Sequence, residues 1–77
     1  MTKQQVRLYI ARKNPTKWYP IFVSEYIHER YSQDDETALI NNYLSDPEGH
    51  AEEYQAYQAF RAECKERARE ELGMNAS

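Results

Sequence analysis

A single cysteine, Cys64, stands in this chain of 77 residues. That excludes a disulfide framework within the chain and the paired-cysteine spacing of zinc and redox sites. Only two glycines occur, Gly49 and Gly73, far apart, so no glycine-rich loop can cradle a phosphate. The longest apolar stretch, Trp18 to Val23, is interrupted by Pro20 and falls well short of the ~20 residues of a membrane span. Neither end reads as a signal peptide, and the expected location is the cytoplasm. Aliphatic side chains are also scarce: Leu, Ile, Val and Phe together number 12. Such a fraction would signal disorder if net charge were high. The formal charge is only -3, and seven tyrosines with Trp18 supply rings that fill a core where aliphatics are missing. The chain is expected to form one small domain over residues 1–73, with 74–77 as a frayed tail.

What the sequence does have is helix punctuation, and it predicts an all-α domain of four helices with a long C-terminal helix. Thr2 and Gln5 form a capping box opening a helix over about 3–13. Arg12 and Lys13 suit the negative end of its dipole, Asn14 a left-handed C′ position, and Pro15 a stop. A second helix is read from the stripe Phe22, Val23, Tyr26, Ile27, Arg30 and Tyr31, with Pro20 in its first turn. Ser32 caps a third, with Asp34, Asp35 and Glu36 at its positive end and Leu39, Ile40, Tyr43 and Leu44 on its apolar face; it ends near Ser45. Asp46 and Pro47 start a fourth that runs to Leu72, with Gly73 as its C′ stop and Tyr54, Tyr57, Phe60, Cys64, Ala68 and Leu72 sharing one arc. The alternative is an α+β fold, because Val6, Leu8 and Ile10 alternate with polar neighbours and would suit a hairpin with Trp18–Val23. Pro20, which cannot donate to a ladder, weighs against it. The expected core is Phe22, Ile27, Leu39, Ile40, Leu44, Tyr57 and Phe60.

Charge is segregated along the chain. Residues 1–24 carry five cations and no acid, residues 25–60 nine acids against Arg30 alone, and the stretch from Arg61 to Leu72 four of each sign. The basic segment admits two readings. Lys3, Arg7, Arg12, Lys13 and Lys17, with Trp18 as a stacking ring, would suit phosphate contacts to nucleic acid. The same residues would equally serve to neutralise the acidic middle of the chain, and a sequence pI near 5.3 favours that over a dedicated nucleic-acid domain. Glu25-x-x-His28 matches the spacing of di-metal helical bundles, but such sites need two motifs, and His50 with Glu53 runs in the reverse order. No metal or other cofactor is expected. Without a nucleophile set in context, and with a core too small for a deep pocket, no enzyme is expected either.

The tyrosine excess points elsewhere. Tyr buries area while its hydroxyl tolerates a wet rim, so it is favoured at protein interfaces. Tyr26, Tyr43 and Tyr57 fall on core stripes; Tyr9, Tyr19, Tyr31 and Tyr54 are expected nearer the surface. The composition suits a non-catalytic protein-binding module, a small accessory or regulatory protein. Its partner face is expected on the last helix at Tyr54, Arg61, Ala68 and Leu72. Helices 1 to 3 look too short to cover that helix, so Cys64 to Leu72 is expected to project and to meet a partner or a second copy as a homodimer. Nucleic-acid binding through residues 3–19 is the alternative function.

Overall fold

The computed structural model describes residues 1–74 as four helices without strands. About 80% of the described residues are helical, so the all-α expectation holds and the hairpin alternative does not. The first helix, α1 (Lys3–Lys13), opens as predicted. Thr2 Oγ1 accepts from the Gln5 amide at 3.1 Å, and Gln5 Oε1 accepts from the Thr2 amide at 2.8 Å. This reciprocal pair satisfies two amides that would otherwise lack partners, which helps the helix beat the strand.

Residue 14 departs from expectation. Asn14 is not left-handed; with φ -141° and ψ 68° it is neither helical nor extended, and it links α1 directly to α2 (Pro15–His28). Helix α1 ends at Lys13 as expected, and Pro15, besides not continuing it, begins the next helix, its missing amide proton costing little at the first position. The second helix starts five residues earlier than Pro20, which lies inside it and leaves the Thr16 carbonyl without its donor four residues on.

The third helix, α3 (Gln33–Ser45), has the predicted Ser32 cap: Ser32 Oγ accepts from the Asp35 amide at 3.0 Å, and the Asp35 carboxylate returns the bond. The last, α4 (Ala51–Glu71), begins later than expected, because residues 47–50 form a separate turn. Asp46 caps that turn, accepting from the Gly49 amide at 3.2 Å; a Cβ on Gly49 would collide with the Asp46 carboxylate at 2.2 Å. At the far end Gly73 takes φ +70° as the predicted stop. The amides of Gly73 and Met74 bond back to Glu70 and Arg69, a Schellman closure. Met74, expected to begin a tail, is thus part of the cap, while residues 75–77 lie outside the described residues.

The packing has two parts. The core comprises Ala11, Phe22, Val23, Ile27, Tyr57, Cys64, Ala68 and Leu72, drawn from α1, α2 and the C-terminal two-thirds of α4. Trp18, Phe22 and Tyr26 run down α2 as edge-to-face pairs at 6.2 and 6.0 Å, and Tyr31 meets Tyr57 edge-on at 5.2 Å. Helix α3 contributes no buried residue and packs chiefly on α4. It runs antiparallel to it, with Glu36 against Tyr57 and Tyr43 stacked on Tyr54 at 4.0 Å. Beyond Tyr57, towards Ala51, α4 has only α3 beside it, so α3 and the start of α4 form a two-helix arm. The arm stretches the molecule to 47 × 28 × 17 Å with a radius of gyration of 15.1 Å, against about 11–12 Å for a compact domain of this length.

Candidate partner-binding surface

The arm is built by one clamp at its base. Glu36, in the first turn of α3, receives the Tyr57 hydroxyl on one carboxylate oxygen and faces His28 Nε2 at 2.9 Å with the other. Three helices are joined through that carboxylate. His28 is therefore engaged by Glu36, not by the Glu25 of the metal-like spacing; among the described residues no cluster of three or more metal-ligating side chains occurs. Tyr57 is 1% exposed, and its hydroxyl is pushed up to about 12, by burial first and then by the bond to the Glu36 carboxylate. It stays a neutral donor across the ordinary pH range.

Outward from the clamp, the α3 stripe runs past the end of the core. Leu39 and Tyr43 are half-buried against α4, but Ile40 is 37% and Leu44 70% exposed. Both were expected in the core, and the structure corrects this. A helix pair buries only the residues along its single line of contact, and the third helix that would cover Ile40 and Leu44 is missing at this level. Residues 31–60, which include the whole arm, contain seven acids and no Lys or Arg. The surface around these two apolar side chains is accordingly negative.

The predicted partner face on α4 divides. Tyr54 and Arg61 are half-buried, Tyr54 stacked on Tyr43 of α3 and Arg61 lining a groove with Glu36 and the α2 residues Val23 and Ile27. The Arg61 guanidinium lies 5.7 Å from the Tyr57 ring, and its Nε is buried without a hydrogen-bond partner. Ala68 and Leu72, by contrast, are 0% and 3% exposed, inside the chain's own core beside Cys64, so neither is free to meet a partner. The expected projection of Cys64 to Leu72 is overturned with them. The 14-residue α2 reaches further along α4 than the sequence suggested, and α1 folds back so that Arg12 Nε donates to the Glu71 carbonyl at 2.7 Å. It is the opposite end of α4 that lacks cover.

The basic segment is largely used within the fold. Arg7 pairs with Glu25 at 2.5 Å and lies over the Trp18 and Phe22 rings; Arg12 caps the end of α4; Trp18 is half-buried against Phe22. Lys13 rests 4.8 Å from the Tyr9 ring. Among the described residues, Lys3 and Lys17 are the members of this segment without an ion pair or ring contact. Arg7, with Glu25, also walls a surface groove of about 440 Å³ between α1, α2 and α4. Its other charged wall is the Arg67–Glu29 pair at 3.1 Å, with the Arg67 guanidinium 3.9 Å from the Tyr26 ring centre. Both arginines of the groove are thus matched by acids within it, and a third acid, Glu71, lines it as well. No known protein family, curated protein or solved structure matches the chain.

Proposed function

We propose that this is a non-catalytic protein-binding module, an accessory or regulatory protein whose working surface is the arm formed by α3 and the first turns of α4. One observation carries this reading. A 13-residue amphipathic helix with no buried residue leaves Leu44 70% exposed beside Ile40. Two helices alone cannot bury both apolar faces, whereas a third laid into their open seam removes that surface from water at roughly 25 cal/mol per Å². Helix-in-groove recognition of this kind is anchored by apolar residues at i and i+4, the spacing of Ile40 and Leu44. The half-buried Tyr43–Tyr54 stack, with its hydroxyls able to face water, suits the rim of such a site.

The test is affinity capture from cells of the protein's own source with three baits: the parent chain, Leu44→Glu on the arm, and Lys17→Glu remote from it. Circular dichroism should first show equal helicity, since both positions are exposed. A partner held by the parent and Lys17→Glu baits and lost by Leu44→Glu is the expected result. Identical captures by all three would overturn the arm as the binding surface.

A further inference from the structure

Resting on that reading of the arm, we infer that its occupant is the outer face of α1 from a second copy of the chain, in a head-to-tail contact. The arm fixes the chemistry of what it binds: apolar side chains at helical spacing, on a surface that carries positive charge. Among the described residues one face has those properties. Helix α1 turns Ala11 and Leu8 into the core and leaves Val6, Tyr9 and Ile10 outside, with Tyr9 57% and Ile10 50% exposed. These lie at i, i+3 and i+4, one stripe of a helix. Lys3 and Lys13 flank them, and no acid occurs anywhere in residues 1–24.

Two like faces do not suit each other. Arm against arm would set seven acids opposite seven, and α1 against α1 would oppose two sets of lysines. Only the mixed pairing brings opposite fields together, which sets orientation and excludes the wrong partners. Nor can the pairing close within one molecule. Helix α1 packs chiefly on α2 and sits at the C-terminal end of α4, whereas α3 packs at the N-terminal end. A contact between unlike faces leaves one of each kind free after every addition, so it propagates as a chain or closes as a ring. Each face offers only two or three apolar anchors. The interface therefore belongs to the small, transient class, and its charged rim makes it salt-sensitive.

Sedimentation on the full chain tests this, from ~10 μM to ~1 mM and at about 50 and 500 mM salt. The weight-average mass of the parent should rise with concentration past the dimer at low salt and fall back towards monomer at high salt. Ile10→Glu and Leu44→Glu should each be monomeric throughout. Mixed in equal amounts, the two should recover a one-to-one complex that grows no further, because Ile10→Glu keeps an intact arm and Leu44→Glu an intact α1 face. A parent that plateaus at dimer, with Ile10→Glu still dimerising, would overturn the head-to-tail pairing in favour of arm against arm. A strict monomer at all concentrations would overturn self-association altogether. If a foreign protein is nonetheless captured through Leu44, the arm remains a binding surface and only its occupant was misassigned; if that capture fails too, both conclusions fall.

Discussion

Tyr57→Phe removes one oxygen from the least exposed large side chain of the protein and leaves the ring in place against Tyr31. The lost hydroxyl donates to an ionised carboxylate, and bonds to charged groups contribute about 1.5–3 kcal/mol. Glu36 keeps its contact with His28 and is itself only partly buried, so water recovers part of that and the expected loss is about 1–2 kcal/mol. For 77 residues, total stability is of the order of 4–12 kcal/mol, so the variant still folds. The pH dependence gives an independent check. The Tyr57 hydroxyl is pushed from 10.0 to about 12 in the folded protein, and a raised value means that the folded state holds its proton more tightly than the unfolded chain. Its contribution is intact below pH 10 and is lost as pH climbs towards 12. At pH 11 the loss amounts to roughly a factor of ten in the folding equilibrium, on the order of 1 kcal/mol. Urea denaturation followed by circular dichroism should therefore show Tyr57→Phe less stable than the parent at pH 8. By pH 11 the gap should nearly close, because only the parent has this proton to lose. A gap of the same size at both pH values would refute the picture of a neutral phenol held by Glu36.

Two further outcomes follow from the core. Ala68 is fully enclosed where α4 meets its neighbours, so Ala68→Leu should destabilise by about 1–3 kcal/mol through overpacking, read from the urea midpoint; an unchanged midpoint would mean that this face is open after all. Cys64 is buried, and burial pushes its thiol up. Alkylation should run on the order of 100-fold slower in native protein than in denaturant, its rate set by opening of the fold, and equal rates would contradict that placement.

Much of the architecture follows from local chemistry. The boundaries of α1, the Ser32 cap of α3 and the Gly73 stop of α4 are set by side chains and amides within a few residues of each other, interactions that exist before any tertiary contact forms. At Asn14-Pro15 the same local chemistry serves as both a stop for α1 and a start for α2, and the sequence showed only the stop. Which apolar stripes become buried is a tertiary decision. Leu44 and Leu72 each continue the apolar face of a helix and look equivalent in the sequence, yet Leu72 is enclosed because α1 and α2 converge on the C-terminal end of α4, and Leu44 is bare because nothing but α3 reaches the other end. Charge segregation is legible from composition alone; that it lies on separate faces, with unlike apolar stripes at opposite ends of α4, required the helices to be placed. A helix determines its own apolar face through its 3.6-residue period, but what covers that face depends on where distant parts of the chain are held, and no local pattern encodes that distance.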